Sequence, residues 1–378
     1  MRLDNMKKVL LVTGDMYVGG IENQLMYLLR YADKTKYTFD LLTTRNNPIY
    51  REEVESYGGQ YLLIDDVSKK RILVYFIRLF RLLLNGHYDV IHTHHHFRNS
   101  LILFTAFCAG VPVRISHSHF GKASDENNIA KHLIYQVLRF CIRVFSTHLI
   151  ACSEQSGKCL YGDNITQCKK YSQINNSVEV SKYLNPIQSV PTDDFLSDDY
   201  YNILHVSSIS PRKNQLFSLE IAKVFKARKE KARILCVGSG DWDYECALVQ
   251  AIKDEDLGDY FKMLHIRNDV HALMPVSHAL ILPSLTEGMP LVLIEAQTAG
   301  LNCVVADTFS HEVDFNLGQI QWLSLDLSAH EWANAICMAA KSPKASLEDR
   351  LHIVKARRLD AKEFANCVCA IYEGHTHS

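Results

Sequence analysis

The chain has 378 residues, of which 47% are hydrophobic and 22% charged, and its formal net charge is −1 at pH 7. That length exceeds a single hydrophobic core and suits two α/β domains of a globular enzyme. The near-neutral charge, without interleaved aromatic and basic residues, argues against a nucleic-acid partner. No apolar run approaches the ~18 residues that cross a bilayer, and the first run, ended by Asp15, is too short for a signal peptide. Eleven cysteines without a repeating interval indicate free thiols in a reducing compartment, so we expect a cytoplasmic protein.

Short apolar strands alternate with helical stretches along the chain. The predicted strands are Val9–Thr13, Phe39–Thr43, Tyr61–Ile64, Val90–His92, Val113–Ser116, Leu149–Cys152, Asn202–Val206, Arg233–Val237, Met263–Ile266, Ala279–Leu282 and Asn302–Val305. This alternation predicts parallel sheets with helices on both faces, arranged as two doubly wound, Rossmann-like α/β domains that bind ligands at the carboxyl edges of their strands. The acid-rich, proline-bearing segment 185–200 predicts the hinge between them.

Charge is divided unevenly between the two halves of the chain. Residues 1–190 carry 23 Lys and Arg against 16 Asp and Glu, whereas residues 191–378 carry 18 against 26. Much of the positive excess lies in two apolar segments, 69–84 and 131–145, which predict basic amphipathic helices. Such helices suit an anionic membrane surface, where each Lys or Arg contributes about 1 kcal/mol, so reversible peripheral attachment to the inner face of the cytoplasmic membrane is one hypothesis. The alternative is ordinary core helices with solvated arginines.

The segment Pro283–Ala296 predicts the end of a buried strand, a tight loop and an apolar helix that opens at Pro290. Proline is tolerated in the first turn of a helix, and Gly288 permits close approach of the backbone to a ligand. The free N–H groups of a helix start form an anion site. Glu287 and Glu295 bracket this site, which would therefore suit a phosphate-bearing ligand with hydroxyl groups at both ends.

Together with its flanking residues, the run PSLTEGMPLVLIEAQTAG closely resembles the nucleotide-sugar site of the family 4 retaining glycosyltransferases of GT-B fold. The resemblance covers nearly the whole chain and is strongest over residues 202–315. It implies that an acceptor-binding domain, 1–190, faces a nucleotide-sugar-binding domain, 191–356, across a cleft, while a helix within 357–378 crosses back. It also implies transfer of a hexose from a UDP-sugar or GDP-sugar, with UDP favoured, to a hydroxyl group of a glycan or lipid-linked acceptor in surface-polysaccharide synthesis. The anomeric configuration would be kept.

The resemblance assigns roles to individual residues. Glu287 would contact hydroxyl groups of the donor sugar, and His117, at the end of a strand, would lie near the reacting sugar carbon, with His119 as a nearby competitor. Glu295 would accept hydrogen bonds from the ribose, and Lys213 would hold the phosphates with the N–H groups of the helix start. The other positions implied in donor binding are Gly19, Gly20, Ser208, Arg212, Gly238, Arg267, Gly288, Met289, Pro290 and Leu291.

The phosphate clamp departs from the family pattern. The family usually has Gly-Arg followed by Lys, whereas here Ser207 and Ser208 replace the Gly and the Arg, and Lys213 falls on the Lys position. Loss of a cation matters because stabilising the charge of the leaving group is a large part of such catalysis. Arg212, reaching in from the next turn, is a candidate substitute. Two alternatives stay open: a nucleotide-sugar epimerase or hydrolase on the same fold, and a non-catalytic nucleotide-sugar-binding partner.

The histidine-rich run from His92 to His96 invites a metal interpretation. Adjacent residues at a strand end point in different directions, however, and no acid is paired with them, so we expect no metal there. In the family this loop faces the acceptor side. The resemblance further implies that no cofactor is needed, because fixed cations and a helix terminus carry the charge of the diphosphate.

Overall fold

The structure is a computed structural model that describes residues 6–14, 20–64, 72–119, 129–184, 196 and 200–374. The chain divides into two compact units, residues 1–177 with 361–378 and residues 178–360. The boundary lies at Ser177 instead of the predicted 190, because Ser177 bonds to Gln24 of the first unit whereas Val178 is buried in the core of the second. Most of the predicted hinge, 185–200, falls outside the described residues.

The first unit contains a seven-stranded parallel sheet in the order β3-β2-β1-β4-β5-β6-β7. Its strands are β1 (Lys7–Val12), β2 (Tyr37–Thr43), β3 (Tyr61–Leu63), β4 (Val90–Thr93), β5 (Val113–Ser118), β6 (His148–Ala151) and β7 (Tyr171–Gln173). Its helices are α1 (Gly20–Tyr31), α2 (Pro48–Ser56), α3 (Ile72–Gly86), α4 (Asn99–Cys108), α5 (Ile129–Phe145), α6 (Glu154–Tyr161) and the last helix of the chain, α14 (Ala361–Tyr372).

The second unit contains a six-stranded parallel sheet in the order β10-β9-β8-β11-β12-β13. Its strands are β8 (Tyr201–Val206), β9 (Ala232–Val237), β10 (Phe261–His265), β11 (Ala279–Leu282), β12 (Asn302–Ala306) and β13 (Ile320–Leu323). Its helices are α7 (Ser181–Leu184), α8 (Gln215–Arg228), α9 (Trp242–Asp254), α10 (Val270–Val276), α11 (Leu291–Ala299), α12 (Ala329–Lys341) and α13 (Leu347–Ala356). None of the helices that the structure describes is long and apolar enough to span a membrane.

Each sheet is buried on both faces, which explains the continuous apolar runs of its central strands. In β1, Val9 and Leu11 pack into one hydrophobic core while Leu10 and Val12 pack into the core on the opposite face. Both sheets are doubly wound, and the strand order reverses between β1 and β4 in the first unit and between β8 and β11 in the second. Ligands of such sheets bind beyond the carboxyl ends of the strands at these reversals.

The predicted fold class is confirmed, and all eleven predicted strands are present. Two strands were not predicted, β7 and β13, of three and four residues. Both lie at an edge of their sheet. Because an edge strand packs against fewer neighbours, it needs no long apolar run, and the pattern that marks the central strands is missing from these two.

The last helix, α14, completes the first unit. Phe364, Val368 and Ile371 are buried in the same core as residues of α1 and β1. Lys7 and the Tyr37 hydroxyl group both bond to Glu373 at 2.6 Å, which fastens the end of the helix to the sheet. The second unit runs four residues beyond the predicted 356, to position 360.

Replacing Phe364 by Ala should lower the free energy of unfolding of the first unit by about 3–5 kcal/mol, the usual cost of truncating a buried phenylalanine. Because Trp242, Trp322 and Trp332 all lie in the second unit, urea unfolding should show a shifted transition by circular dichroism and an unshifted one by tryptophan fluorescence. Asn366→Ala, on the exposed side of α14, is the control and should change stability by less than about 1 kcal/mol. A shifted tryptophan transition would contradict the assignment of α14.

One buried histidine couples the stability of the second unit to pH. His205 on β8 is fully buried, and its Nδ1 lies 2.9 Å from Ser218 Oγ on α8. Burial, reinforced by the charge of Lys213, lowers the pKa of His205 to about 3. The unfolded chain takes up this proton near pH 6.5, so the free energy of unfolding falls as the pH drops from about 6.5 towards 3.

Replacing His205 by Gln, which keeps a polar group opposite Ser218, should remove this pH dependence. Between pH 7 and pH 5 the parent protein is expected to lose about 2 kcal/mol of stability through His205 alone, and the variant should lose that much less. Urea unfolding followed by tryptophan fluorescence at both pH values measures the difference. His330→Gln, exposed on α12, is the control. Equal pH dependence in H205Q and the parent protein would refute the assignment.

Candidate functional site

A buried ion pair joins the loops that follow β8 and β11, the two strands at which the order of the second sheet reverses. Lys213 Nζ donates to Glu287 Oε1 at 2.5 Å, and their side chains are 13% and 6% exposed. Arg212 is more exposed, and its Nη1 lies 4.0 Å from Glu287 Oε2. The carboxylate of Glu287 therefore faces two cations at the point where this fold binds ligands.

Backbone contacts fix the geometry of this pair. The N–H group of Leu285 donates to the carbonyl oxygen of Arg212 at 2.8 Å, and Asn214 Nδ2 donates to the carbonyl oxygen of Pro283 at 3.1 Å. Asn214 has a φ of 60°, a left-handed conformation that asparagine tolerates better than most residues. Sequence analysis missed Asn214, although an asparagine directly before a helix is a recognisable feature.

The pKa of Lys213 is lowered by burial, and the charge of Glu287 opposes that shift. Arg212 adds a smaller lowering effect on the pKa of Lys213 because both groups are cations. A buried cation of this kind is strongly stabilised by an anion at close range. In the structure Glu287 supplies that anion, and a phosphate group carries a charge of the same sign.

Helix α11 starts at Leu291, one residue later than predicted, and Pro290 occupies the position before its first turn. Because proline has no N–H group and the N–H group of Leu293 donates to the carbonyl oxygen of Pro290 at 3.1 Å, the donors at this helix start include those of Gly288 and Leu291. No side chain caps this end of α11 in the described part of the chain. The helix start is consequently suited to an anionic ligand through its N–H groups and dipole.

Glu295 lies within α11 and is oriented by a residue that sequence analysis missed. The hydroxyl group of Tyr183, a buried residue on α7, bonds to the Glu295 carboxylate. Burial raises the pKa of Glu295, and the bond from Tyr183 and the charge of Lys182 act against that increase. Tyr183 belongs to no motif and lies far from Glu295 along the chain, so nothing in the sequence marks the contact.

The loops after β9 and β10 bring two more predicted residues to the same edge of the sheet. Gly238 has a φ of +140°, and a Cβ atom there would lie 1.9 Å from the carbonyl oxygen of Ser207, so only glycine fits. Its N–H group donates to the carbonyl oxygen of His265 at 2.8 Å. Arg267 forms two hydrogen bonds to Asp269, at 2.8 and 2.6 Å, which hold its guanidinium group in place.

Ser208 stands where the family pattern has an arginine, and its side chain is exposed. The buried side chain of Gln215 donates to Ser207 Oγ at 3.0 Å and to the carbonyl oxygen of Ser208 at 2.9 Å. The loop at Ser207 and Ser208 is therefore held by hydrogen bonds between uncharged groups. Arg212 carries a positive charge 4.0 Å from the carboxylate that Lys213 also contacts.

The first unit holds the other predicted catalytic residue, His117, within a cluster of four buried histidines, His92, His94, His117 and His119. Their neighbouring ring centroids are 4.1–5.3 Å apart. Burial lowers the pKa of His92 and His119 to about 3 and those of His94 and His117 well below the usual value, so all four rings are neutral at pH 7.

Extended geometry explains this convergence. His92 and His94 are two residues apart, as are His117 and His119, and alternate residues of a strand share a face. His92 and His94 are therefore not adjacent residues that point in different directions, and the expectation of divergent side chains was wrong for this pair. The predicted Gly20 is the exposed first residue of α1, and the predicted Gly19 lies outside the described residues.

Comparison with known proteins identifies the family. The family model described as Glycosyltransferase Family 4 matches residues 18–182, and that described as Glycosyl transferases group 1 matches residues 192–358. EpsF of Bacillus subtilis (strain 168) is 30% identical over 372 residues, which cover 97% of this chain and 96% of EpsF. The UDP-Gal:alpha-D-GlcNAc-diphosphoundecaprenol alpha-1,3-galactosyltransferase of Escherichia coli is 28% identical over 242 residues, which cover 61% of each chain.

A solved structure shares the fold across the whole chain. HepE of Anabaena in complex with UDP-glucose gives a TM-score of 0.76 at 16% identity and covers 97% of this chain and 100% of its own. With both units matched by family models and EpsF similar over almost its full length, this chain belongs to the family 4 glycosyltransferases of GT-B fold.

Proposed function

We propose that this protein is a retaining hexosyltransferase that moves a sugar from a UDP-sugar to a hydroxyl group of a lipid-linked glycan in surface-polysaccharide synthesis. The observation that carries the proposal is the buried Lys213–Glu287 pair beside the uncapped start of α11. The name of the Escherichia coli relative gives a UDP-sugar donor and a diphosphoundecaprenol acceptor, and HepE holds UDP-glucose. Both support a UDP-sugar donor here, and the Escherichia coli relative also supports a lipid-linked acceptor.

In the proposed donor complex, the diphosphate replaces Glu287 as the partner of Lys213, and the N–H groups at the start of α11 contact the same phosphates. Glu287, once released, accepts hydrogen bonds from hydroxyl groups of the sugar, and Glu295, held by Tyr183, accepts them from the ribose. The remaining donor contacts are assigned to the loops that carry Gly19, Gly20, Ser208, Gly238 and Arg267.

In the proposed reaction the bond from the anomeric carbon to the diphosphate oxygen breaks, and the acceptor oxygen bonds to that carbon on the same face. The departing phosphate oxygen takes the proton of the acceptor hydroxyl group, and His117 places the sugar. Charge that develops on the leaving diphosphate is stabilised by Lys213, by Arg212 and by the helix start. The donor site therefore requires no metal ion.

A product assay separates this reaction from its alternatives. The full-length protein is incubated with UDP-sugars or GDP-sugars and a diphosphoundecaprenol-linked acceptor, and the products are identified by mass spectrometry. Extended lipid-linked glycan together with the free nucleoside diphosphate is the expected result. Free sugar or an epimerised donor in the absence of acceptor would establish a hydrolase or an epimerase instead. Donor binding without any product would establish a non-catalytic partner.

Replacing Lys213 by Met should lower kcat/KM for the donor by about 10²- to 10³-fold, because a fixed cation on the leaving group is lost. Lys213→Arg retains the charge and should recover part of this loss. Lys223→Met, which removes a partly exposed lysine of α8 that pairs with Glu220 and Glu255, is the matched control and should leave transfer unchanged. Tryptophan fluorescence verifies that each variant is folded. Parent-like kinetics in folded K213M would refute the assigned role.

Arg212→Ala tests whether this residue compensates for Ser208. We expect donor affinity, measured by isothermal titration calorimetry, to fall about tenfold, since a hydrogen bond between charged groups contributes about 1.5–3 kcal/mol. Ser208→Arg in the R212A background should restore part of the loss by returning the family cation. If R212A binds and transfers as the parent protein does, the compensation is wrong, whatever the role of Lys213.

An exposed apolar face on the first unit supports a membrane-bound acceptor. It is formed by side chains of α3, α4 and α5, each 39–67% exposed: Ile72, Leu73, Val74, Ile77, Leu84, Phe104, Phe107, Leu133, Ile134, Val137, Phe140 and Val144. Phe104 connects the three helices, since its ring centroid lies 6.0 Å from that of Phe76 on α3 and 5.0 Å from that of Phe145 on α5. Contiguous apolar patches of this kind mark interaction sites.

The charges around this apolar face favour an anionic membrane as its partner. Arg78, Arg81, Lys131 and Arg143 on α3 and α5 are exposed, and neither helix contains an acidic residue. Basic side chains beside exposed Leu, Ile, Val and Phe are typical of helices that lie on anionic lipid surfaces. Lys69, Lys70 and Arg71, which contribute to the predicted basic segment, lie outside the described residues.

Replacing Leu73 and Phe140 together by Gln should reduce binding to anionic liposomes by more than tenfold in a flotation assay. Each side chain is 67% exposed, and its transfer out of water contributes about 1.5–3 kcal/mol. Met338→Gln, at 66% exposure on α12, is the matched control and should float as the parent protein does. Failure of the parent protein to float with anionic liposomes at low salt would reject membrane binding and leave the transfer reaction untouched.

A further inference from the structure

The proposed transfer reaction uses one of the four clustered histidines, His117, and leaves the other three without a role. Among the described residues, the Nε2 atoms of His94 and His117 are buried and have no hydrogen-bond partner. A buried nitrogen without a hydrogen bond has lost its contact with water and gained none in return, which is unfavourable. The Nε2 atom of His94 therefore points to a ligand that completes its bonding, while Nε2 of His117 is the atom left to contact the sugar in the proposed reaction.

The spacing of the ring nitrogens suits a single metal ion. One nitrogen from each of His92, His94 and His117 lies within 4.8 Å of the other two, and His92 Nε2 lies 3.2 Å from His117 Nδ1. With Zn–N bonds of about 2.0–2.1 Å, two ligands of a tetrahedral zinc ion lie about 3.3 Å apart. His92 Nε2 and His117 Nδ1 already have this separation. A ring movement of about 1–1.5 Å would shorten a separation of 4.8 Å, the upper limit within the group, to the same value.

Two of these rings form a hydrogen bond through the nitrogen that would not bind the metal, as metal-ligating histidines usually do. His94 Nδ1 lies 2.7 Å from His119 Nε2, and His92 Nδ1 lies 2.9 Å from the hydroxyl group of Tyr372. A histidine that binds a metal through one ring nitrogen commonly bonds a second group through the other, which fixes its tautomer and orientation. His119 and Tyr372 occupy such outer positions here.

We propose that His92, His94 and His117 bind one transition-metal ion of the zinc class, with a fourth position open to water or an anionic oxygen. Three imidazoles with one open position form a known type of zinc site, and imidazole nitrogen favours zinc, copper or nickel over magnesium or calcium. No carboxylate belongs to the group, so an oxygen anion at the fourth position would balance part of the charge. The proposed diphosphate contacts, Lys213, Arg212 and the start of α11, are cations and N–H groups and do not use this ion.

Metal titration of the full-length protein tests the site without an activity assay. After removal of metals with a chelator, Zn²⁺ is titrated in competition with a chromogenic chelator, and Co²⁺ serves as a spectroscopic probe. We expect one tight equivalent, visible d–d bands of four-coordinate Co²⁺ with nitrogen and oxygen ligands, and a higher Tm of the first unit. Transfer activity does not enter the readout, so failure here is distinct from failure of the proposed reaction.

Matched variants assign the ligands. His92→Gln and His94→Gln should each abolish the tight equivalent, and His119→Gln should weaken it by about 10- to 100-fold, as loss of an outer partner does. His132→Gln, exposed on α5, should bind as the parent protein does. Three outcomes overturn the proposal: no tight equivalent in the parent protein, thiolate charge-transfer bands from any of the eleven cysteines, or unchanged binding in folded H92Q and H94Q. The parent titration decides the matter even if a variant does not fold.

Discussion

The ion pair between Lys213 and Glu287 is the contact on which the proposed donor chemistry of the second unit depends. Burial lowers the pKa of Lys213 and the charge of Glu287 opposes that shift. The two residues come from different loops at the reversal of strand order. As long as the pair is closed, the cation is neutralised and the carboxylate is occupied. In the proposed complex the diphosphate would replace Glu287 as the partner of Lys213 and so release the carboxylate. Binding of the phosphates would therefore be coupled to binding of the sugar by Glu287.

The same topological rule organises both units. In each sheet the strand order reverses beside the first strand of the unit, and the polar side chains gather at the carboxyl ends of the strands around that reversal. In the first unit the N–H group of His94 donates to the carbonyl oxygen of Val12 at 2.9 Å, which joins the histidine cluster to β1. In the second unit the bond from Leu285 to Arg212 joins β11 to β8. The reversal in the first sheet is lined by neutral histidine rings, and the reversal in the second sheet is lined by the Lys213–Glu287 ion pair.

Sequence reasoning succeeds here where one local pattern determines the structure. Strands that are buried on both faces can be recognised as apolar runs. The motif around Glu287 predicts the strand, the loop and the helix in which its own residues lie. It fails where a contact is formed by residues distant along the chain. Tyr183 reaches Glu295 from another helix, and His92 meets His117 across two strands, because packing decides these contacts. The helix start at Leu291 shows a smaller error, since proline suits both the first helical position and the residue before it.

The return of α14 to the first unit does more than cover a sheet. It places Tyr372 2.9 Å from His92 Nδ1, and His92 Nε2 lies 3.2 Å from His117 Nδ1. Whichever tautomers are present, the hydroxyl group at the end of the chain and the predicted active-site histidine share one line of hydrogen bonds. Without a metal ion, a Tyr372 hydroxyl group that donates to His92 leaves the proton of His92 on Nε2 and that of His117 on its own Nε2. With the proposed ion bound, His92 Nε2 is a ligand and the proton of His92 lies on Nδ1, facing Tyr372. In both cases the last turn of α14 orients His92, so the packing of this helix and the tautomer of the histidine cluster are linked.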